Sequence, residues 1–462
     1  MKAKKVMAVL LASVMTMGML AGCGSKEAET QAPADSVVKE TETVAESKPA
    51  DEAEASDAAS DLAGVEITFL NSKGEVQEAL EDMAVAFEDE TGIKVEIQIC
   101  ATGESPYTKV TSAYNSGSAP TMAMLDPTDV VSLAKEYAVD LSGEKWVSEV
   151  GSSATVIDGT VYGFPFCIEG RGLIYNKAAI ETTLGREFDP ATINSYDALA
   201  AILEELRAAG MENPVVISKE DWSLGNHQLG FVYDTQDGTT DGAMAFIDSL
   251  KAGAVGMESN ERFTQFIETF DLLCEYNING ADPLGALYEQ DPIYVVDGEA
   301  AFWANGCWAW PNLAEAGASA EDAYGFVPFV LGNATADFAN NGVEAAATKI
   351  VMIDKVQASE EQIAAAKEFL NWLVYAETGQ KMLVQNAGVI PAASNNAFEA
   401  LDPLGKDIQA KMKSGNSYSS SFIAPADHWA VLGASMQKYL AGQCSVSELA
   451  TEIDEYWMGL AE

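Results

Sequence analysis

Residues 65–99 read VEITFLNSKGEVQEALEDMAVAFEDETGIKVEIQI, and their pattern establishes the fold class. Residues 65–70 alternate apolar with polar side chains, which predicts a strand, and the spacing from about 75 to 90 predicts a helix. Thr91-Gly92 ends that helix, and residues 93–99 again alternate and are rich in β-branched side chains. The segment is therefore a strand–helix–strand unit.

The same alternation of elements continues along the chain. A helix is predicted near 107–114, a short apolar strand over 122–125 and another helix near 129–137. Strands that alternate with helices predict an α/β fold with a mostly parallel sheet covered on both faces. Because ligands of such sheets collect at the carboxyl ends of the strands, the polar loops 71–74 and 126–129 are candidate parts of a site.

Three of the eight tryptophans lie close together in residues 301–312, AFWANGCWAWPN. Trp303 and Trp308 are separated by Gly306 and are not spaced as on one face of an amphipathic helix. The spacing favours a strand that runs into a loop or a helix start. Trp303 and Trp310 flank Trp308, and we expect at least one of these two to fill the core.

The N-terminal residues predict secretion. Three lysines among the first five residues precede an uncharged run over 6–20, which is short for a membrane span and has no basic stop-transfer cluster after it. Residues 1–22 are therefore predicted to be a signal peptide that is removed. Residues 23–63, rich in Glu, Ala, Ser, Asp and Thr, cannot bury a core and are predicted to be a disordered acidic tether. The remaining stretch, from residue 64 onward, is long enough for two domains.

Charge and cysteine content exclude several classes of function. The formal net charge is −45, with only 26 Lys and Arg residues, which disfavours nucleic acid, anionic lipid and phosphorylated ligands. Two histidines cannot build a His-rich metal site, and no cofactor is predicted. The cysteines besides Cys23 are odd in number and widely spaced, so they predict no disulfide framework and leave the redox state open: Cys100, Cys167, Cys274, Cys307 and Cys444.

Five segments in order resemble the extracellular solute-binding lipoproteins that feed carbohydrate importers of the ATP-binding-cassette (ABC) class, and among them the maltodextrin-binding proteins. The segments are FEDETGIKV (87–95), IEGRGLIYNK (168–177), NGCWAW (305–310), AAAKEFL (364–370), and HW (428–429) followed by AGQCSV (441–446). The sequence LAGC at 20–23 also resembles the lipobox of bacterial lipoproteins, in which Cys23 would become the lipidated first residue.

The resemblance implies a two-lobe, periplasmic-binding-protein-like α/β fold with a hinge and a ligand cleft between the lobes. Lobe one is expected over 64–168 and 345–395, and lobe two over 169–344 and 396–462. The Gly- and Pro-containing crossing near 164–170 and the loop-rich stretch 331–342 agree with a hinge. The implied protein is a monomer that is not an enzyme. It is held by the lipid at Cys23 on the extracytoplasmic face of the cell membrane, and it passes a sugar or oligosaccharide to membrane permease subunits.

The resemblance also implies the residues of the site. A sugar offers flat faces of C–H bonds and a rim of hydroxyls, so its site needs aromatic plates and convergent polar groups. By position the plates are Trp308, Trp429 and Trp222, and the polar partners are Glu220, Glu169, Lys73, Asp126 and Asp129.

Structural interpretations of these residues stay open beside the functional one. Glu169 could form an ion pair with Arg171, and Asp126 and Asp129 could cap the helix that starts there. Lys73 could lie in a solvated turn. Two other tryptophans, Trp372 and Trp457, lie in amphipathic helical stretches and are assigned to packing.

The chain also departs from the maltodextrin binders, so the identity of the sugar stays open. Leu125 or Asp126 stands where they have a tryptophan, Thr128-Asp129 replaces their Asp-Arg pair, and Cys307 replaces a proline. Two other classes of function remain as alternatives. A secreted glycoside hydrolase would also use tryptophans and paired carboxylates. A binder of polyamines or another non-sugar solute would suit the acidic field.

Overall fold

A computed structural model describes residues 61–101, 104–425 and 427–460. The predicted signal peptide, the predicted lipidation site Cys23 and the predicted tether up to residue 60 lie outside these residues. Within them, no helix has both the length and the apolar character needed to cross a membrane. Leu62 packs against the buried core and the Gly64 amide donates to the Gly92 carbonyl at 2.8 Å, so the folded part includes the last residues assigned to the tether.

Helices and strands alternate along much of the chain. The strands are β1 (Glu66–Asn71), β2 (Lys94–Ile99), β3 (Met122–Leu125), β4 (Thr155–Ile157), β5 (Thr160–Asn176), β6 (Val215–Val216), β7 (Phe302–Gly306), β8 (Tyr324–Val327), β9 (Val343–Ile353) and β10 (Ser417–Tyr418). The helices are α1 (Gln77–Thr91), α2 (Pro106–Ser116), α3 (Pro127–Tyr137), α4 (Val147–Val150), α5 (Lys177–Leu184), α6 (Tyr196–Ala208), α7 (Leu229–Asp234), α8 (Thr240–Lys251), α9 (Glu261–Glu275), α10 (Asp291–Val296), α11 (Trp310–Glu315), α12 (Phe338–Asn341), α13 (Glu360–Tyr375), α14 (Glu377–Lys381), α15 (Pro403–Ser414), α16 (His428–Leu440) and α17 (Val446–Met458).

The predicted strand–helix–strand unit is confirmed. β1 and β2 pair in parallel, and α1 connects them after a short 3₁₀ turn at Gly74–Val76. α1 ends at Gly92, whose φ of 76° lies in the left-handed region that glycine adopts without a steric cost. The next predicted elements also form, because β3 covers Met122–Leu125 and helices α2 and α3 flank it.

The sheet is mixed, so the prediction of a mostly parallel sheet was wrong. The strand order is β2-β1-β3-β9-β5-β7-β6, and β1 is parallel to both of its neighbours. β9 runs antiparallel to β3 and β5, and β5 runs antiparallel to β7 and β8. The direction of a distant partner strand is a long-range property, which local periodicity does not encode.

β5 is 17 residues long and joins two groups of buried side chains. Its first part pairs with β9, and its last part pairs with β7 and β8. The register between β5 and β9 shifts between Pro165 and Ile168. Proline has no N–H to donate to a neighbouring strand, so inside a sheet it is found at irregularities of this kind. At the same level the Ile168 amide donates to the Ile390 carbonyl at 2.8 Å, so a third segment joins β5 and β9.

The apolar side chains separate on either side of this junction. One cluster contains Phe69, Phe87, Phe166 and Phe369 and packs around β1 to β3 and α13. Another contains Phe231, Phe266 and Trp457 and packs around α7, α9 and α17. Trp372 and Trp457 are 5% and 0% exposed, so both indoles pack in the core.

Candidate functional site

A cavity of about 140 Å³ lies at the junction of β5, β9 and the segment around Ile390. Its walls come from the β1 loop, from β5, from the turn after β7 and from the start of α15. The charged and aromatic side chains that line it include Lys73, Glu75, Glu169, Trp308 and Asp402. Three of the predicted site residues, Lys73, Glu169 and Trp308, therefore meet at one cavity.

Lys73 is held at the carboxyl end of β1 by the buried side chain of Asn71. The Lys73 amide donates to Asn71 Oδ1 at 2.8 Å, and Asn71 Nδ2 donates to the Lys73 carbonyl at 3.0 Å. Lys73 Nζ donates to Glu75 Oε1 at 2.6 Å and to Glu169 Oε1 at 2.7 Å. Burial alone would lower the pKa of Lys73, but the Glu169 and Glu75 carboxylates raise it above its usual value. The alternative of a solvated turn is wrong, because the Lys73 side chain is only 11% exposed.

Glu169 faces the cavity from β5 and is held by two partners. Its Oε1 accepts from Lys73, and its Oε2 accepts from Thr348 Oγ1 at 2.6 Å. The alternative of an ion pair with Arg171 is wrong, because the Arg171 guanidinium pairs with Asp234 at 2.6 Å and with Glu344. Glu169 therefore forms its ion pair at the crossing strands with Lys73 instead of Arg171, and its role as a hydroxyl partner stays a prediction.

Asp126 and Asp129 lie beside this network, and the Asp126 side chain does not cap the helix that follows it. Asp126 occupies the position before α3, yet its side chain makes no capping hydrogen bond and instead accepts from Lys349 Nζ at 2.5 Å. Asp129 is 8% exposed. Burial raises its pKa to about 6, the charge of Asp126 adds to the rise, and Lys349 opposes it. The sequence reasoning missed Thr348 and Lys349, although two adjacent polar residues inside the apolar strand β9 were a usable signal.

The three tryptophans of residues 301–312 have different environments. β7 leads into a 3₁₀ turn at Cys307–Ala309 and then into α11, which confirms the predicted strand-to-helix transition. Trp303 is fully buried and donates from Nε1 to Ser218 Oγ at 3.0 Å, so it is the expected core residue. Trp308 and Trp310 are half-buried and line the cavity. The Trp308 ring lies over Gly306, where a Cβ would stand 2.5 Å from Cε3.

Four aromatic side chains form a continuous row on the Trp308 side of the cavity, which we call the aromatic row. The centroids of Trp308 and His227 are 4.5 Å apart, those of His227 and Trp222 are 5.4 Å apart, and those of Trp222 and Tyr288 are 5.3 Å apart. The sequence reasoning found both tryptophans but missed His227 and Tyr288. Neither stands in a motif, so nothing local marks them.

The five other predicted site residues do not line the cavity: Trp222, Trp429, Glu220, Asp126 and Asp129. Trp429 lies in the first turn of α16 and is 42% exposed, and its backbone contacts the turn that carries Trp222 and His227. Glu220 is half-buried, and its Oε2 has no hydrogen-bond partner among the described residues. Burial raises the pKa of Glu220. Both residues are adjacent to the aromatic row rather than to Lys73.

The walls of the cavity suit a ligand with both apolar faces and hydroxyl groups. Lys73 and Glu169 line the cavity with a donor and acceptors, and Trp308 lines it with a flat ring. Both lysines of the network, Lys73 and Lys349, are already paired with carboxylates. The site therefore holds no unpaired cation for a phosphate or carboxylate group among the described residues.

Comparisons with known proteins identify the fold and the family. Residues 82–411 match the family model of the bacterial extracellular solute-binding proteins. RafE of Streptococcus pneumoniae, solved in complex with raffinose, is 17% identical and has a TM-score of 0.67, with 86% of this chain and 100% of that chain covered. A family 1 extracellular solute-binding protein from Bifidobacterium longum subsp. infantis is 18% identical with a TM-score of 0.64, covering 86% and 100%.

A mannobiose-binding protein of an ABC transporter from Bifidobacterium animalis subsp. lactis is 18% identical, with a TM-score of 0.59 and coverage of 87% and 96%. No curated protein sequence matches the chain significantly. The solved neighbours establish that the described residues adopt the two-lobe fold of the solute-binding proteins.

Proposed function

Because this chain belongs to the bacterial extracellular solute-binding proteins, we propose that it captures a sugar or an oligosaccharide and delivers it to the permease of an ABC importer. In this proposal the lobes close around the ligand, and the lipid at Cys23 holds the protein on the outer face of the cell membrane. The solved neighbours support this proposal, since they include binders of raffinose and mannobiose.

The observation that carries the proposal is that a single cavity combines charged side chains with an aromatic ring. The ion-paired Lys73 and Glu169 and the half-buried indole of Trp308 line the same cavity at the junction of the crossing strands. A carboxylate accepts from sugar hydroxyls, an ammonium group donates to them, and an indole covers a face of C–H bonds. Asp126, Asp129 and Glu220 are proposed as further hydroxyl partners, and Trp222 and Trp429 as further plates.

The energetics require more than aromatic contacts. Covering one sugar face removes roughly 60 Å² of apolar surface from water, which stabilises the complex by about 1.5 kcal/mol. Three plates then give about 4.5 kcal/mol, whereas micromolar binding needs about 8 kcal/mol after the association entropy has been met. Hydrogen bonds and closure of the lobes supply the difference in this proposal.

The size of the cavity supports a hinged mechanism. The cavity of about 140 Å³ is smaller than the roughly 300–1,000 Å³ of a typical ligand pocket. In this proposal, a disaccharide enters when the lobes separate and widen this cavity. The proposed lobes are 64–168 with 345–395 and 169–344 with 396–462, and the register shift of β5 between Pro165 and Ile168 lies where they would meet. Hinges typically absorb rotation in a few such residues.

The charges of the cavity favour a neutral ligand. Lys73 is shared by Glu75 and Glu169, so an acidic sugar would meet carboxylates without an available cation. The same carboxylates, with Asp402 in the lining of the cavity, favour a polyamine as the second candidate. These carboxylates would stabilise a bound, positively charged amine, as the aromatic plates would stabilise a bound neutral sugar.

A thermal-shift panel on residues 24–462 tests the proposal. The panel contains glucose, maltotriose, raffinose, mannobiose, chitobiose and spermidine, and the sample is also checked for hydrolysis products. We expect at least one sugar to raise Tm by mass action and to change tryptophan emission. We expect Trp308→Ala to weaken this sugar about 12-fold, so that both responses need a higher sugar concentration, while the unliganded Tm stays near that of the parent.

Three results would contradict the proposal. A shift with spermidine alone would support the polyamine alternative, and turnover of an oligosaccharide would identify a glycoside hydrolase. A Trp308→Ala variant that binds sugar as well as the parent does would place the site elsewhere.

A further inference from the structure

The family resemblance assigns no role to His227, which lies between two of the proposed aromatic plates, Trp308 and Trp222. Its imidazole centroid is 4.5 Å from the Trp308 ring at an interplanar angle of 51°, and 5.4 Å from the Trp222 ring at 66°. Trp308 lines the cavity, and His227, which does not line it, is the next ring along the aromatic row. The residue is half-buried rather than sealed in the core.

A π-helix places His227 beside Trp222. The segment Ser223–Gln228, which we call the π-turn, is wound as a π-helix and follows directly after Trp222. In an α-helix, residues five positions apart point about 140° away from each other, since each residue turns by about 100°. A π-helix bonds residue i to i+5, so its wider turn brings such residues to the same side. The π-turn therefore accounts for the contact between the Trp222 and His227 rings.

The π-turn is fixed from two directions. Gly225 packs against α16 so closely that a Cβ on it would stand 2.5 Å from the Gly433 amide nitrogen and 2.5 Å from the Trp429 carbonyl. From β5, Arg171 donates from its guanidinium to the Asn226 carbonyl at 3.1 Å. π-Helical turns are rare in proteins overall, but where they occur they are often at functional sites. The contacts of Gly225 and Arg171 are therefore consistent with a role of the π-turn in positioning side chains.

His227 also has hydrogen-bonding capacity that the protein does not use. Its Nδ1 is buried and has no hydrogen-bond partner among the described residues. Burial, together with the nearby charge of Arg171, lowers the pKa of His227 to about 3, so the ring is neutral near pH 7. A neutral imidazole offers one donor and one acceptor, whereas the neighbouring Trp308 offers only an N–H donor.

We propose that His227 contacts the ligand and acts as a specificity-determining residue, by forming a hydrogen bond to one sugar hydroxyl at the edge of the face that Trp308 covers. This inference rests on the proposed function. A site built to bond a particular hydroxyl discriminates strongly against a sugar that lacks it, because its polar group is then left without a partner. The aromatic plates alone are tolerant of hydroxyl position, so His227 would add the selectivity that they lack.

The test compares His227→Phe with His227→Gln in residues 24–462, titrated with the panel sugar that gives the parent its largest thermal shift. We expect His227→Phe, which keeps a flat ring, to weaken this sugar roughly 10-fold, as loss of one hydrogen bond does. We expect His227→Gln, which keeps a donor and an acceptor, to recover part of the affinity. The Tm of each unliganded variant shows whether it is folded.

Monodeoxy analogues of the same sugar separate contact from packing. We expect one analogue, lacking the bonded hydroxyl, to bind the parent and His227→Phe with equal affinity, while the other analogues keep the roughly 10-fold difference. Equal binding of the intact sugar by His227→Phe and the parent would overturn the inference, and so would the same loss for every analogue. If no panel sugar binds the parent, the proposed function itself fails.

Discussion

Gly306→Ala should move the Trp308 ring and weaken sugar binding without straining the backbone. Gly306 has φ −122° and ψ 178°, an extended conformation that alanine adopts freely. The added Cβ, however, would stand 2.5 Å from Trp308 Cε3 and still closer to Cζ3 and Cη2. Carbon atoms pack at about 3.5–4.0 Å, so the ring must retreat by about 1 Å or more.

The expected magnitude follows from the contact that the ring would lose. If the displaced indole no longer covers a sugar face of roughly 60 Å², the loss is about 1.5 kcal/mol, which corresponds to an increase in Kd of about 12-fold. The assay is a titration of tryptophan emission or heat release with the panel sugar that binds the parent. The unliganded Tm of the variant serves as the control for folding.

A double-mutant cycle identifies the cause of the loss. In the Trp308→Ala background, Gly306→Ala has no ring to displace and should change the affinity no further. The reasoning would be refuted if Gly306→Ala bound the sugar within about twofold of the parent. It would equally be refuted if the substitution caused the same additional loss in both backgrounds.

Three further predictions concern stability. Trp303→Phe should lower the free energy of unfolding by about 2 kcal/mol through loss of the buried bond to a hydroxyl, with sugar affinity unchanged in the same titration. Gly225→Ala and Gly433→Ala should each lower the free energy of unfolding by about 2–4 kcal/mol in urea, because each Cβ meets backbone atoms; Gly143→Ala, which meets nothing within 4 Å, is the control. Burial raises the pKa of Asp129 to about 6, so the folded state holds this proton more tightly than the unfolded chain and loses stability as pH rises from about 4 to 6. Asp129→Asn should therefore match the parent's unfolding free energy below about pH 4 and exceed it by about 3 kcal/mol at pH 7, and identical pH profiles would contradict this.

The acidic composition and the ion pairs at the crossing strands together explain why we expect a ligand without negative charge. The net charge of −45 disfavours anionic ligands in general. The structure adds that the two lysines near the cavity are already paired, so that no local basic pocket offsets this charge among the described residues. The expectation that the ligand is not anionic thus rests both on the composition and on these contacts.

The local elements could be predicted from the amino-acid sequence alone. Residues 65–99 form the predicted strand–helix–strand unit, and residues 301–312 form the predicted strand and helix start, because periodicity and turn chemistry depend on neighbours a few positions away. The sequence also separated Trp372 and Trp457, which pack in the core, from Trp308, which lines the cavity. Side-chain pattern within an element is sufficient for such a distinction.

How distant residues meet could be learned from the folded chain alone. Glu169 binds Lys73, 96 positions away, and Thr348, 179 positions away, rather than the nearby Arg171. The antiparallel course of β5 and β9 and the placement of His227 likewise depend on contacts between remote segments. Such contacts form because folding brings complementary surfaces together, and no short stretch of sequence contains both partners.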